Sequence, residues 1–467
     1  VSARTREGIS RLLEAVDRLA AQPGAAAARL PVAKAAAGTA ATYYQAENIA
    51  ARAVRQESAD RAAPVDWSQR LDALLTSGWT GFPVMCGLLA VVFWLTIVGA
   101  NYPSELLYRG LAWLGVQLDR GLLLVGLPGT LRSLLVQGVY RATAWVVAVM
   151  LPPMAIFFPL FSLLEDLGYL PRVAFNLDRL FKAVGAHGKQ ALTMCMGFGC
   201  NAAGVTCCRI IESRRERLVA VLTNSFIPCN GRFPLLIALA TIFMGRSSLL
   251  AAATVAGTVM TGILVTLLVS WLLSRTLLRG EPSGFILELP PYRRPQVLRL
   301  LVRSLLDRTL RVLGRALTVA APAGLVIWLL GNISAGDQPL LASAAALLEA
   351  PGRLLGMDGY ILLAFILALP ANELVIPLLL MGYLSTDTLV EVGGLETLGA
   401  ILLAQGWTWA TAVAVMLFSL LHYPCATTLL TIYRETGEAR WAFLGAAIPL
   451  TVAVIVCATF AWLMSWL

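Results

Sequence analysis

Three cysteines lie where apolar sequence is interrupted by residues that break helices. Cys200 lies in the run GFGCN, Cys229 lies in the run PCNG, and Cys425 follows proline in YPCATTLL, which repeats the second pattern far downstream. A helix break at membrane depth is tolerated only where it lines a cavity or is buried in protein, and paired breaks in two halves of a chain indicate a transporter's binding site. Thiolates suit soft or borderline metal ions, so these breaks predict a metal site rather than a site for sodium or a sugar.

Polar residues beside the interruptions are further candidates. Asn201 follows Cys200, and Asn372 precedes Glu373 in the parallel run LALPANELVIP. A carboxylate inside apolar sequence is energetically costly and marks a functional site by default. Glu373 could bind a metal ion, relay protons or pair with an arginine.

His422 lies three residues before Cys425. This spacing places both side chains on one helix face if the segment stays helical, although Pro424 could turn them apart. Imidazole and thiolate are both ligands for Fe(II). The predicted metal ligands are therefore Cys200, Cys229, Cys425, Glu373, Asn201, Asn372 and His422. The alternative is that the cysteines are small buried thiols without a ligand role.

Other residues of the same chemical types are expected to take no part in the site. Cys86 and Cys457 lie in the middle of apolar runs and are expected to be ordinary core residues. His187 and Lys189 lie in a short polar loop and are expected to be solvated.

Composition assigns the chain to the membrane. It is 58% hydrophobic and 13% charged, with a mean hydropathy of +0.75, whereas a soluble domain has about 25% charged residues. Because about 20 apolar residues span a bilayer, the uncharged runs predict roughly eight to ten membrane-embedded helices. Those runs are 82–100, 142–164, 247–274, 316–336, 397–433 and 441–467. The run 397–433 is too long for one span, so we predict a break near Tyr423-Pro424 between a complete and a partial helix.

The net charge of +9 does not indicate nucleic-acid binding. Arginines cluster between predicted spans, most densely over residues 275–315. Such an excess beside membrane spans is typical of a cytoplasmic loop, so the charge reports topology.

The first residues resemble the end of a GTPase domain. Ser2 and Ala3 begin a Ser-Ala-Arg run that resembles the last guanine-binding motif of small GTPases, and an amphipathic helical pattern follows it. A phosphate-binding loop of the form GxxxxGK[ST] does not occur in the sequence. We therefore predict that the chain is not an enzyme and does not bind GTP by itself, the GTPase domain being largely missing through truncation or supplied by another polypeptide.

Several motifs in order resemble the ferrous iron transport protein B family, FeoB. They are LEDxGYxxRxAFxxDRL (164–180), GFGCN (197–201), ExxRxRL (212–218) and YPCATTLLTIYRETG (423–437). The resemblance implies an all-α polytopic membrane protein with two inverted Gate-type repeats of broken or re-entrant helices and a small N-terminal cytoplasmic helical segment. It also implies Fe(II) as the transported ion.

The resemblance implies a domain organisation. Its predicted parts are a GTPase remnant (1–20), a linker and cytoplasmic helical connector (21–77), a first transmembrane helix with a following loop or amphipathic segment (78–135), Gate repeat 1 (136–275), a basic cytoplasmic loop (276–308) and Gate repeat 2 (309–467). The family implies a multi-pass protein of the bacterial inner membrane with a cytoplasmic N-terminus. GTP and Mg would act only through the GTPase domain, in cis or in trans. The implied partners are the lipid bilayer and small cytoplasmic Feo-type accessory proteins, with a homo-oligomer compatible and no nucleic acid.

Three other interpretations stay open from the sequence. The chain could carry another divalent metal, since Mn(II), Co(II) and Zn(II) share much of this ligand chemistry. It could carry a nucleoside-like solute, because Gate-type repeats also resemble nucleoside carriers. It could instead be a membrane scaffold for a GTPase.

Overall fold

The computed structural model describes residues 48, 67–77, 79–244, 248–280, 297, 301–302, 304–335, 338–386, 388–389 and 394–466. These belong mainly to one compact unit, Trp67–Leu467. Ser2 and Ala3, the predicted GTPase remnant, most of the connector over 21–77 and most of the basic loop over 276–308 lie outside the described residues.

Two helices precede the broken-helix region. Helix α1 is Trp67–Thr76, and α2 is Gly81–Leu124, a continuous helix of 44 residues with Pro103 inside it. At 1.5 Å per residue, α2 is about twice as long as the apolar core of a bilayer is thick. The helix therefore continues through the region where the sequence predicts a loop or a separate amphipathic segment after the first span.

The first half of the broken-helix region, residues 129–275, contains eight described α-helices, the first of which is a single turn. It consists of α3 (Gly129–Ser133), a π-helical turn (Leu134–Tyr140), α4 (Arg141–Asp166), α5 (Tyr169–Ala183), α6 (Gln190–Gly199), α7 (Asn201–Cys207), α8 (Arg214–Thr223), α9 (Phe233–Met244) and α10 (Ser248–Arg275). Short 3-10 turns follow α7 (Cys208–Ile210) and α8 (Asn224–Phe226).

The second half, residues 304–464, follows a similar order. It consists of a π-helical turn (Ser304–Thr309), α11 (Leu310–Asn332), the two-residue strands β1 (Ser334–Ala335) and β2 (Gln338–Pro339), α12 (Leu340–Leu354), α13 (Gly359–Leu367), a 3-10 turn (Asn372–Leu374), α14 (Val375–Tyr383), α15 (Leu395–Ala404), α16 (Trp409–Leu421), α17 (Ala426–Thr436) and α18 (Ala439–Met464). The strands pair antiparallel and form only a small hairpin. The predicted all-α polytopic fold is confirmed.

The two halves pack against each other reciprocally. The π-helical turn of the first half packs on α11, and the π-helical turn of the second half packs on α4. The approach is close at Gly138 and Gly324, where an added Cβ on Gly324 would lie 2.5 Å from the Gly138 carbonyl oxygen. Small residues allow such close helix crossings in membranes. Helices α8 and α16 likewise each contact both α10 and α18.

Six described helical stretches are long and apolar enough to span a bilayer, or seven if the pair α12–α13, bent by 108°, is counted as one span. Three shorter apolar helices lie at 233–244, 372–383 and 395–404. The most apolar window of Trp409–Thr436 is 61% buried, whereas those of Gly81–Leu124, Leu250–Arg275 and Ala439–Met464 are 17–22% buried. The stretch that contains Cys425 therefore lies inside the protein, and the outer spans face lipid.

Local sequence explains where key helices begin and end. Ser213 caps α8 by accepting a hydrogen bond from the Glu216 N–H, and Asp358 caps α13 by accepting one from the Ile361 N–H at 2.7 Å. Gly437 takes a left-handed conformation (φ 74°) and ends α17, a position where glycine avoids a steric penalty. The predicted break near Tyr423-Pro424 is present, between α16 and α17.

Two expectations, one about the run 397–433 and one about Cys86, are wrong in detail. The run 397–433 contains a second interruption, where Gly406 adopts φ 80° and Thr408 caps α16. Cys86, expected in the core, is exposed on α2, while Cys457 is fully buried on α18 as expected. The sequence of a helix whose apolar face points to lipid resembles that of a helix buried in protein, because lipid and the protein interior favour the same side chains. Position in an apolar run therefore does not tell whether a cysteine such as Cys86 is buried in the protein.

Candidate metal-ion site

The two halves contain the same backbone break. Cys200 separates α6 from α7 with φ −158° and ψ 124°, and Ala371 precedes the turn before α14 with φ −155° and ψ 124°. An asparagine follows at each break, Asn201 in the first half and Asn372 in the second. This extended residue places a free helical N-terminus at the same point of each half.

The loops that carry the other two cysteines are attached to these breaks. The Asn230 N–H, next to Cys229, donates to the Gly199 carbonyl at 3.4 Å. The Ala426 N–H, next to Cys425, donates to the Leu369 carbonyl at 2.7 Å. Each half therefore holds its cysteine loop against its own broken helix.

The Cys229 loop lies beside the first break and beside the segment that leads into Cys425. The Asn230 N–H is bonded to the carbonyl of Gly199, next to Cys200, and Arg232 donates to the carbonyl of Tyr423, two residues before Cys425. Glu373 interacts with Cys229 and Cys425, and the Asn372 amide nitrogen lies 3.8 Å from the Cys229 Sγ. Cys200 is buried, and Cys229 and Cys425 are half-buried.

These side chains do not form a closed metal centre. Within the described part of the chain, no group of three or more His, Cys, Asp or Glu side chains is arranged to hold one ion. An ion here would need backbone carbonyls, amide oxygens or water in addition to one or two of these side chains.

Gly231 makes room for the carboxylate. A Cβ at this position would lie 2.3 Å from Glu373 Oε1, well inside van der Waals contact. Glu373 therefore reaches from the second half into the Cys229 loop of the first half. This approach is possible because residue 231 lacks a side chain.

Asn201 lies at the site but is engaged with the backbone. When its amide nitrogen faces the neighbouring carbonyls, it donates to the Gly197 carbonyl at 3.1 Å and to the Ile227 carbonyl at 3.2 Å. These bonds join α6 to the loop before Cys229. Its geometry supports a role in positioning the break.

His422 does not share a helix face with Cys425. Helix α16 ends at Leu421 and α17 begins at Ala426, so the condition for that prediction is not met. The His422 Nδ1 lies 2.9 Å from the Ser419 carbonyl oxygen and 3.0 Å from that of Phe418, and the ring stacks on the Phe418 ring. Its Nδ1 is thus occupied as a hydrogen-bond donor.

Sequence reasoning missed two buried residues around the cysteines. Arg232 is 1% exposed and donates hydrogen bonds to carbonyls of both halves. Asn224 is also buried, donates to the Asn201 carbonyl at 3.0 Å and lies against Gly197 and Gly204. The cost of a charge in apolar sequence, which drew attention to Glu373, applies equally to Arg232 and could have found it.

Comparisons with known proteins find family matches in both halves of the domain. Residues 147–244 and 313–439 match the family model named Gate, described as nucleoside recognition, and residues 255–307 match that of the ferrous iron transport protein B C terminus. The chain belongs to the FeoB family. The matched residues cover its membrane domain, and the two Gate matches fall in the two halves described above.

Relatives named as FeoB proteins match most of this chain. An Fe(2+) transport protein A/Fe(2+) transporter FeoB fusion protein of Porphyromonas gingivalis is 26% identical over 449 residues, which is 86% of this chain and 51% of the relative. The Fe(2+) transporter FeoB of Staphylococcus aureus strain COL is 29% identical over 407 residues (84% and 59%), and that of Methanocaldococcus jannaschii is 28% identical over 341 residues (69% and 48%). The chain thus spans about half the length of the curated relatives it matches. No solved structure matches it.

Proposed function

We propose that this FeoB membrane domain carries Fe(II) across the bacterial inner membrane, with the ion passing between the thiols of Cys200, Cys229 and Cys425. The observation that carries the proposal is that the Cys229 loop is bonded to Gly199 at the first break, while Asn372 and Glu373 of the second break lie against the same loop. The relatives' printed names, which are those of Fe(2+) transporters, support iron as the cargo.

The incomplete ligand set suits a transported ion. A thiol must lose its proton to bind metal, so each thiol that takes Fe(II) releases one proton. Asn372, Glu373 and free backbone carbonyls at the breaks supply oxygen ligands beside the sulfurs. A site with few fixed ligands binds its ion weakly enough to release it, whereas a closed four-ligand centre retains it.

The ligand types do not by themselves select iron. Affinity at such sites rises from Mn(II) through Fe(II) and Co(II), and Zn(II) also binds more tightly than Fe(II). Selectivity in this proposal therefore comes from geometry and metal supply. Mn(II), Co(II) and Zn(II) are the competing cargoes to test.

The proposal places the N-terminus in the cytoplasm, where a GTPase domain, in cis or in trans, would bind GTP and Mg and act on this domain. The 467 residues contain no GxxxxGK[ST] run, which supports a membrane domain that does not bind nucleotide itself. The Porphyromonas relative carries Fe(2+) transport protein A in the same chain, which supports an accessory protein of that kind as a partner.

Anaerobic uptake of radioactive Fe(II) into proteoliposomes tests the proposal. Cys200→Ser, Cys229→Ser and Cys425→Ser are each compared with Cys86→Ser, a matched substitution at an exposed cysteine on α2. We expect uptake to fall in the first three variants and to stay at the unsubstituted level in Cys86→Ser. Equal uptake in all four would contradict the proposal. Uptake of a radioactive nucleoside that is insensitive to the substitutions would favour a solute carrier instead.

A further inference from the structure

An ion pair joins the two halves where α7 and α17 end. Each of these helices begins directly after a cysteine, α7 after Cys200 and α17 after Cys425, and the two helices pack against each other. Arg209, in the 3-10 turn after α7, donates from Nε to Glu435 Oε2 at 2.5 Å and from Nη2 to Glu435 Oε1 at 2.9 Å. Glu435 lies in the last turn of α17. The ion pair therefore holds the two helices together at the ends that lie away from the cysteines.

This ion pair lies at a face of the domain. Lys189, just before α6, donates to the carbonyl of Ile210, just after α7, at 3.2 Å. Helices α6 and α7 therefore form a re-entrant hairpin, whose two ends share one surface and whose tip is the break at Cys200. The Arg209 side chain is 69% exposed at that surface, and an exposed charge avoids the hydrocarbon of the bilayer. A route from Cys200 to this face would run along α7 and α17.

The charge of Glu435 depends on Arg209. The Glu435 side chain is only 11% exposed, and the C-terminal end of a helix carries a partial negative charge that repels a carboxylate. Arg209 offsets this repulsion with two charge-assisted hydrogen bonds. An ion pair whose cation is in water is nevertheless weak and is screened by salt. A contact of this kind can break and form again without unfolding the helices that it joins.

A second ion pair joins the segments that follow these helices. Arg214, the first residue of α8, donates from Nη2 to Glu438 Oε1 at 2.9 Å, and Glu438 immediately precedes α18. Glu438 also accepts a hydrogen bond from Arg440, which belongs to its own half. If the halves separated here, Glu438 would keep a cation as its partner. The second pair therefore opposes separation less than the first pair does.

We propose that Arg209 and Glu435 form a latch that holds α7 against α17 and closes the route between the cysteine region and this face of the domain. The inference rests on the proposed function for its link to Fe(II) transport, but the latch itself is independent of the cargo. In the orientation proposed above, the face is cytoplasmic. Arg215 donates there to the carbonyl of Leu278, at the start of the predicted basic loop, and such loops are typical of the cytoplasmic side.

The rate at which a charged, thiol-specific reagent modifies Cys425 tests the latch. The purified full chain is treated without metal at a single pH, and mass spectrometry identifies the modified cysteine. For Arg209→Glu and for Glu435→Arg we expect the rate to rise by about two- to fivefold, the size expected when an exposed ion pair is lost. The double variant restores the pair with its charges exchanged, so its rate should return to that of the unsubstituted protein.

The two single variants also exclude a simple effect of charge on the reagent. They change the local charge in opposite directions, so an effect on the reagent would move the two rates apart, whereas an open latch raises both. Arg109→Glu, which breaks an exposed ion pair with Glu105 within α2, is the matched control and should leave the Cys425 rate unchanged. Thermal unfolding curves show which variants are folded, and Arg209→Gln and Glu435→Gln replace a charge-reversed variant that is not.

Three results in folded proteins would overturn the latch. They are unchanged rates in both single variants, rates that move in opposite directions, and a double variant that stays as reactive as the single variants. The proposed function fails separately, if Cys200→Ser, Cys229→Ser and Cys425→Ser all keep their Fe(II) uptake. In that case an increase in Cys425 modification that the double variant reverses would still establish the latch.

Discussion

The first half of the domain has a cysteine at its helix break, and the second half has an alanine at the corresponding point. Cys200 and Ala371 share their backbone conformation, and an asparagine follows each of them. After the asparagine the alanine is in the first half instead, since Ala202 follows Asn201 there and Glu373 follows Asn372 in the second half. The halves thus have similar backbones but different side chains, with a thiol at one break and a carboxylate at the other.

The two asparagines also differ in what they contact. The Asn201 amide is used to bridge backbone carbonyls at 3.1 and 3.2 Å, whereas the Asn372 amide points at the Cys229 sulfur. The comparison teaches that the repeat fixes where the breaks lie but does not fix which side chains stand at them.

Substituting the candidate ligand that is found at only one break, Cys200 or Glu373, should have the largest effect on Fe(II) uptake. Cys200→Ser and Glu373→Gln are each expected to lower Fe(II) uptake by about 10–100-fold, the range that even indirect ligand partners show. Because sulfur favours softer metals, Cys200→Ser should weaken inhibition by Cd(II), and Glu373→Gln should weaken inhibition by Mn(II). Competition assays in proteoliposomes measure both. Identical competition profiles in the two variants would mean that the halves do not differ in ligand role.

Giving the second half the cysteine of the first should make the halves alike. Ala371→Cys adds a sulfur at the matching break, so we expect about tenfold tighter Cd(II) binding, which is 1.4 kcal/mol, and slower Fe(II) uptake. Isothermal titration with Cd(II) measures the affinity. Ala371→Ser is the matched control of similar size without the soft ligand. Equal Cd(II) affinity in the two variants would show that the second break lies away from the ion.

The packing at the residue before each break differs between the halves and should affect stability moderately. An added Cβ at Gly199 would lie 2.1 Å from the Phe157 ring, while the second half has Pro370 at the matching position. Gly199→Ala is expected to destabilise the protein by about 1–3 kcal/mol through overpacking. Gly87→Ala on α2 is the control, because an added Cβ meets nothing within 4 Å there. Melting temperatures that match in detergent would contradict the prediction.

The turns before the broken helices should give the smallest effect, a dependence on pH. His187 precedes α6, and Asp358 precedes α13. Burial lowers the pKa of His187 below its ordinary value of 6.5, and its Nδ1 accepts a hydrogen bond from the Lys189 N–H at 3.0 Å. The unfolded chain therefore binds this proton first, so the contribution of His187 to stability is complete above pH 6.5 and is lost as the pH falls.

His187→Asn, which keeps a side-chain acceptor but does not titrate, should flatten this dependence. Melting temperatures of the two proteins between about pH 7 and pH 5 provide the measurement. Parallel curves for the variant and the unsubstituted protein would assign the pH dependence to other groups.

The sequence predicted the breaks well because glycine, proline and asparagine interrupt helices locally. Cys200, Cys229 and Cys425 could be selected for the same reason, and the structure places each of them at a break or in a loop bonded to one. Whether they bind the ion stays a prediction. The expectation that His187 is solvated is wrong, since it is buried at 7% exposure, because a short polar loop can fold inward when the backbone satisfies its acceptor.

Features that depend on contacts between the halves could not be predicted. Three of the four carbonyls that accept hydrogen bonds from Arg232 belong to residues 188 to 191 positions away in sequence, whereas the fourth, that of Ser225, is 7 positions away. The need for Gly231 arises only from the approach of Glu373, which lies in the other half. No local pattern encodes such approaches, because they depend on how two broken helices pack.

Metal-edge X-ray absorption of the anaerobic, Fe(II)-loaded protein tests the central claim most directly. If the ion passes between cysteines of both halves, the spectrum should show sulfur in the first coordination shell. That sulfur contribution should fall in both Cys229→Ser and Cys425→Ser but not in Cys86→Ser. A first shell of only oxygen and nitrogen, or one whose sulfur content is the same in all three variants, would contradict the account.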